Sequence, residues 1–470
     1  MNQAGAFGMP PKTLRQATAA GLAIGVVYTL SPLTVWFAAG IVPLVLLAAR
    51  NLDADERRFV TRLLVVAVAL RVIAVAGLFV LTDHSTVPFG SFFGDEDYFI
   101  RRGLWLRNVA LGIPIQGLDL ESAFQAFNAS SYLYLLALVQ LLVGPAPYGL
   151  HLLGILFYIL AAVVFFRLVR TTLGRTPALF GLTTLLFVPS LFAWSVSALK
   201  EPLFVLVSSL SFVLAVRLVR GPSLGSRVLT LAAFLALAAV LETIRGGGAA
   251  LSLFGVIAGL LIGFLATRPR LMLPALVTAS ILAGALLGRP AVQLRAYTAI
   301  QAAARQHWGH VVVSPGYAYQ LLDERFYPDL NEISDLRLGE TARFIARAAL
   351  SYVAVPLPWK AQSRAALAYL PEQIVWYILA VLVPIGLPSA FRRDPIVTGL
   401  FLGHAIVIGA AVALFGGNVG TLVRHRGLAL PYLVWLSAIG ACQVLSSLQG
   451  GEPPRPAASA ATSAHTVRST

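Results

Sequence analysis

Charge is what this chain has least of. Only 12% of its 470 residues are Asp, Glu, Lys or Arg, against about 25% in an ordinary globular domain. With 58% hydrophobic residues, that shortage excludes a cytosolic enzyme. Cysteine is nearly absent. Cys442 stands alone in an apolar run, which excludes a disulfide-built secreted domain. Strict apolar–polar alternation is missing too, because the apolar runs are continuous, and this excludes an outer-membrane barrel. No internal repeat of the kind that marks many transporters is visible. No cleavable signal peptide is expected, since the first apolar run leads straight into a second and then a basic loop.

What is present is a series of apolar runs near the ~20 residues that cross a bilayer as helix. The expected fold is all-α and polytopic, with about 12 transmembrane helices. Residues 17–49 are too long for one span, and Ser31-Pro32 divides them into two short helices. Further spans are expected at 63–82, 148–169, 178–195, 202–219, 228–243, 249–266, 271–288, 373–391, 396–415 and 428–446. The organisation is then an N-tail (1–16), a membrane domain (17–288), an external region (289–372), C-terminal spans (373–447) and a disordered tail (448–470), rich in Pro, Ala, Ser and Thr.

The formal charge of +15 invites a nucleic-acid reading, but the placement of the charges argues against it. Alternate connections carry Lys12 and Arg15; Arg50, Arg57, Arg58 and Arg62; Arg167, Arg170 and Arg175; Arg217, Arg220 and Arg227; Arg268 and Arg270; Arg392 and Arg393. These sixteen basic residues are an orientation signal that puts both termini in the cytoplasm. No nucleic acid is expected as a partner.

The other polar segments then collect on the outer face. The sharpest is Asp95-Glu96-Asp97-Tyr98 in the first external loop, 83–130. Adjacent carboxylates suit a general base, or oxygen ligands for a hard divalent cation. Arg101, Arg102 and Arg107 follow at helical spacing; acids in a first turn with arginines after them also fit a solvated helix end. Lys200 and Glu201 sit where a span turns back, before Pro202. Lys200 is one of three lysines, with Lys12 and Lys360, and would bind phosphate as a point charge. Glu242 and Arg245 precede three glycines and are close enough to pair. Arg424-His425-Arg426 lies before the last span; two arginines can clamp a phosphate, or snorkel to headgroups. Arg71 falls inside a span and needs a partner in the bundle. His151 and His404 lie in spans without metal-ligand spacing and are read as core histidines. Asn128-Ala129-Ser130 matches a glycosylation sequon, as chance often does.

Two segments point to membrane contact. Residues 131–144 are apolar but short for a span, as in a re-entrant or surface-lying helix. Residues 336–352 read as an amphipathic helix, with Leu338, Phe344, Ile345, Ala349 and Tyr352 buried and Arg337, Arg343 and Arg347 toward headgroups. Trp359 and Lys360 follow at an interfacial break. Together these segments would frame an entrance for a long-chain lipid.

Asp95-Glu96-Asp97-Tyr98 resembles the Asp-Glu-x-Tyr motif of the GT-C glycosyltransferases, multi-span proteins with an acidic motif in the first large external loop. Tyr132-Leu133-Tyr134 through Gly144, and Leu168 through Arg175, resemble the module behind it, and Glu201 occupies the place of a second-loop acid. The resemblance covers roughly residues 60–220. Ser130-Ser131-Tyr132-Leu133 stands where many relatives have Pro-Pro-Leu, and two spans rather than one precede the span leading into the acidic loop. The carboxyl half is similar to O-antigen and exopolysaccharide polymerases, which also use external arginines.

The resemblance implies an inverting transferase in the bacterial cytoplasmic membrane, with its active site facing outward. A polyprenyl-phosphate sugar would be the donor and a glycan, lipid or protein the acceptor. Asp95 would be the base, with Glu96 or Asp97 orienting it. Tyr98, Arg101, Arg102, Lys200, Glu201, Arg245, Trp359, Lys360, Arg424, His425 and Arg426 are the substrate-binding candidates. A divalent cation (Mg or Mn) is an open cofactor, with Asp97 and Glu201 as candidate ligands. The alternatives are a polysaccharide polymerase and a lipid-linked-sugar transporter or assembly partner.

Overall fold

The computed structural model describes residues 10–87, 94–126, 129–146, 148–314, 318–329, 333, 336–360 and 367–449. Over these the regular structure is helical, apart from one isolated bridge between Ala318 and Asn418. The α-helices are α1 (Pro11–Leu30), α2 (Pro32–Ala49), α3 (Ala54–Leu81), α4 (Gly94–Ala110), α5 (Gly117–Phe124), α6 (Ser131–Val143), α7 (Gly149–Thr172), α8 (Arg175–Phe187), α9 (Pro189–Ser195), α10 (Glu201–Arg220), α11 (Leu224–Ile244), α12 (Gly248–Thr267), α13 (Met272–Leu287), α14 (Pro290–Val313), α15 (Leu338–Ala354), α16 (Leu370–Arg393), α17 (Pro395–Phe415), α18 (Val419–Arg426) and α19 (Leu430–Leu448).

Among the described residues, ten helices are long and apolar enough to cross a membrane, or eleven if the bent pair α8–α9 is one span. The chain is an all-α, multi-pass membrane protein. The break at Ser31-Pro32 falls where expected, but α1 begins in the segment read as a tail and is not among the ten. Its first two turns carry Lys12, Arg15 and Gln16, which dilute its apolar content. The tail beyond Gln449 and the sequon residue Asn128 lie outside the described residues.

The chain divides into two compact units, residues 1–168 with 182–254, and residues 169–181 with 255–470. In the first, polar groups separate by end. Arg167 Nη1 donates to the Arg50 carbonyl, joining the late part of α7 to the turn after α2. The end where α3 finishes and α7 and α10 begin carries the acidic loop.

The span expected at 178–195 is not one straight helix. It bends by 66° between α8 and α9, because Pro189 has no N–H to continue the ladder. The Leu185 carbonyl, which a residue at 189 would normally serve, accepts instead from the Tyr158 hydroxyl at 2.5 Å. The Leu186 carbonyl accepts from Arg71 Nη2 at 2.7 Å, and Arg71 Nε donates to Ser195 Oγ at 2.7 Å. Arg71 is fully buried and stacks over the Phe192 ring at 4.6 Å. Its Nη1 donates to the Ala67 carbonyl one turn back in α3, and its other partners are the backbone and hydroxyl groups of the broken helix. Irregular backbone at membrane depth persists only where its polar groups are met inside the protein.

In the second unit, close helix crossings rest on missing side chains. Gly255, Gly259 and Gly263 of α12 face Gly399 and Gly403 of α17; a Cβ on Gly259 would sit 2.5 Å from the Leu400 Cα. Gly386 of α16 and Gly440 of α19 meet similarly. Small residues let helices approach closely in lipid, where dispersion replaces the hydrophobic effect between them. His404 is a core residue here: Nδ1 donates to the Leu400 carbonyl at 2.8 Å and the ring stacks on Tyr432.

The segment between α13 and α16 has its own apolar core, built on Ala304, Leu321, Phe326, Leu336 and Phe344. His307 pins it to the α17–α18 turn. Its Nδ1 donates to the Gly416 carbonyl at 2.8 Å, and its Nε2 accepts from the Leu321 N–H at 3.2 Å. Burial lowers its pKa to about 4, opposed by the Gly416 bond and assisted by nearby His310. Tyr319 and Tyr327 are the other titratable rings against it. An unfolded histidine titrates near 6.5, so His307 contributes stability that is complete above that pH and lost as pH falls toward 4. The expected loss is about 3 kcal/mol for this unit. Unfolding midpoints between pH 7 and pH 5 should fall, and His307→Gln should flatten that slope.

Candidate functional site

The acidic motif occupies the first turn of α4, and helix geometry sends its three carboxylates in different directions. Asp95 is exposed, Glu96 is fully buried and Asp97 is half-buried. Asp97 pairs with Arg101 at 2.6 Å, one turn on. Glu96 Oε2 accepts from His151 Nε2 at 3.1 Å and faces the Ala198 N–H at 3.4 Å. The same turn receives Tyr132, whose hydroxyl donates to the Ala198 carbonyl at 2.8 Å. Burial pushes that hydroxyl well above the usual phenol range, and the carboxylates of Glu96 and Glu201 push it further. Lys200 Nζ lies 5.7 Å from the centre of the Phe99 ring, and Glu201 is buried at the start of α10. Asp95–Asp97, His151, Lys200 and Glu201 therefore form one neighbourhood, seated on a core of Phe99, Ile100, Tyr132 and Leu199.

Gly154, one turn after His151, makes this turn possible. A Cβ there would lie 2.5 Å from the Ser197 carbonyl oxygen and 3.3 Å from that of Ser195. Gly154→Val is expected to displace residues 195–198, free the Ala198 N–H from Glu96, and cost about 1–3 kcal/mol as overpacking. A thermal midpoint in detergent equal to that of the unaltered protein would contradict this.

The other candidates in this unit hold the loop together. Arg102 donates to the Tyr98 hydroxyl at 2.8 Å and to the carbonyls of Ala123 and Gln125, at 3.2 and 2.6 Å. It thereby closes the end of α5. Tyr98 in turn donates to Gln125 Oε1, and Arg101 donates to the Thr86 carbonyl. Glu242 accepts from the Gly247 and Ala249 N–H groups at 2.9 and 3.0 Å, so it caps α12. Arg245 is half-buried at the end of α11, which reaches α6 through Thr243 and Ser131.

The candidates of the second unit are arranged otherwise. Arg426 is buried and donates to Gln373 Oε1 at 2.7 Å and to the Ser351 and Val355 carbonyls, at 3.3 and 2.5 Å. It closes the end of α15. Burial lowers its pKa to about 10, which leaves it cationic at neutral pH. Arg424 and His425 are half-buried on the same short helix. Trp359 is exposed, and the Lys360 side chain lies outside what is described.

Comparison with family models, curated proteins and solved structures finds no match.

The site's chemistry must therefore be read from its groups. It offers an exposed carboxylate backed by a buried carboxylate–imidazole pair, with Lys200 over the Phe99 ring one turn along α4. Among the described residues no three His, Cys, Asp or Glu converge as a metal set. Asp97, one candidate ligand, is instead paired with Arg101, so no step below is routed through a metal. His151 is the participant that residue-by-residue reading missed. Its position near the start of a span, at the end facing the acidic loop, was the available signal.

Proposed function

We propose that the protein is a membrane glycosyltransferase of GT-C type, using a polyprenyl-phosphate-linked sugar at the outer face of a bacterial cytoplasmic membrane. The observation that supports this reading most is the division of labour in the acidic motif. Asp95 is exposed beside a buried and bonded Glu96, with Lys200 and Glu201 in the same neighbourhood. Asp95 takes the proton of the acceptor hydroxyl as that oxygen attacks the anomeric carbon. The bond from that carbon to the phosphate oxygen breaks, and polyprenyl phosphate leaves with inversion. Lys200 offsets the charge that develops on the phosphate. Glu96, held by His151 and Ala198, is a positioning residue that fixes the first turn of α4.

Basic residues at the opposite end of the same unit favour cytoplasmic termini and an outward site. A polymerase would lean on Arg424 and Arg426, and Arg426 already serves three internal acceptors.

The test is mass spectrometry of the purified protein with a panel of polyprenyl-phosphate sugars. Release of free polyprenyl phosphate by the unaltered protein is the expected outcome and names the sugar. Binding without release, in the presence of candidate acceptors, would sink the transferase reading.

A further inference from the structure

The second unit holds a cavity of about 370 Å³ between α15, α16 and α17. It exists because the sequence puts small side chains where helices would otherwise interlock: Ala349, Ala380, Ala405 and Gly409 all line it. No Asp, Glu, His, Lys or Arg lines it, and the polar side chains of its wall are Tyr352 and Trp376. The indole N–H of Trp376 is already bonded to the Val353 carbonyl at 3.1 Å. Water needs two to four polar partners to occupy such a space, and the side chains of this wall offer one, the buried and unbonded Tyr352 hydroxyl. Its mouth is apolar as well, since Val353 and Ile406, both lining residues, are 43% and 52% exposed.

The surface leading to that mouth identifies the medium. α15 is amphipathic in three sectors rather than two. Thr341, Phe344 and Ala348 are buried. Arg343 and Arg347 lie on the charged sector, reaching Asp323. The third sector carries Leu338, Ile345, Leu350 and Val353, all exposed. Leu338, Ile345 and Ala349, expected to be buried, thus turn outward, because the 100° step of the helix separates them from Phe344. An exposed apolar stripe beside arginines fits the boundary between headgroups and acyl chains. α16 and α17 are themselves spanning helices, so the mouth opens to hydrocarbon.

We infer that this cavity seats one acyl chain of a bilayer phospholipid. A methylene displaces about as much volume as a water molecule, roughly 30 Å³, so the space takes on the order of a dozen carbons of one chain. The inference stands apart from the proposed activity and uses none of its residues.

Trp376 is buried and lines the cavity, so it can report the occupant. The full-length protein is reconstituted in phosphatidylglycerol vesicles whose acyl chains carry bromine, and the Trp376 contribution is taken as the difference from Trp376→Phe. Strong quenching is expected. It should fall at least threefold in Ala410→Phe and, separately, in Ala349→Phe, two exposed lining positions where a ring can block the mouth without overpacking the core. Unquenched Trp376, or equal quenching in both blocked variants, would overturn the inference. So would full relief of quenching by equimolar polyprenyl phosphate, which would give the cavity to an isoprenoid chain instead.

Discussion

Asp95→Asn is expected to lower polyprenyl-phosphate release by about 10²- to 10⁴-fold, the range in which a positioned general base operates. Asparagine keeps the size of the side chain and its place at the start of α4 while removing its capacity to take a proton. Donor binding should survive, because the positive groups of the neighbourhood are untouched. The neighbouring acids make the test sharp. Asp97→Asn removes an ion pair with Arg101 that is partly open to solvent, and such pairs contribute little, so activity should stay within about threefold. Glu96→Gln has a different signature. It weakens the buried contact with His151 and should lower both the thermal midpoint and turnover. A pH–rate profile separates the roles: the acidic limb should vanish with Asp95 and persist, at reduced amplitude, without Glu96. Unaltered turnover in Asp95→Asn would remove the base assignment and leave the acidic turn as a helix start.

The second large effect is expected on stability. Arg71→Leu fills a similar volume with hydrocarbon but leaves the Leu186 carbonyl and Ser195 without their donor. Two hydrogen bonds from a charged group, at about 1.5–3 kcal/mol each, put the loss at about 3–6 kcal/mol. Arg71→Lys should restore little, since one ammonium cannot repeat the two-directional fork. Tyr158→Phe should lose about 1–3 kcal/mol through the Leu185 carbonyl. Thermal unfolding in detergent, followed by circular dichroism, checks all three. Because α9 leads directly into residues 196–200, the Arg71 variant should also lose donor turnover. An Arg71→Leu protein with an unchanged midpoint would show that the bent helix is held by something else.

Legibility in the sequence differed from element to element. The Ser31-Pro32 break and the short helix after Asn128 were readable because each depends on local composition: a proline, or an apolar run too short to span. Pro189 was equally visible, yet the bend it causes was not expected, because the apolar run continues through it without a polar signal. The acidic turn was readable as a cluster, but not which carboxylate stays at the surface. That depends on helix phase and on what approaches from α7 and from the turn before α10. His151 and Arg71 looked alike in sequence, polar residues inside spans. One faces a carboxylate near a span's end and the other serves carbonyls freed by a broken helix.

By itself the sequence determined the class: an all-α chain of many spans, with basic residues at one end of its hairpins and the acidic motif at the other. Those properties follow from local composition, since about twenty apolar residues must be helical in lipid and arginines favour one side of it. Tertiary structure alone decided the partners. Glu96 with His151, Arg71 with Leu186 and Arg426 with Val355 join residues far apart in the chain. Buried polar groups in a membrane protein must be satisfied by whatever the packing brings near. No local pattern encodes which carbonyl a proline will orphan, or which side chain will arrive to meet it.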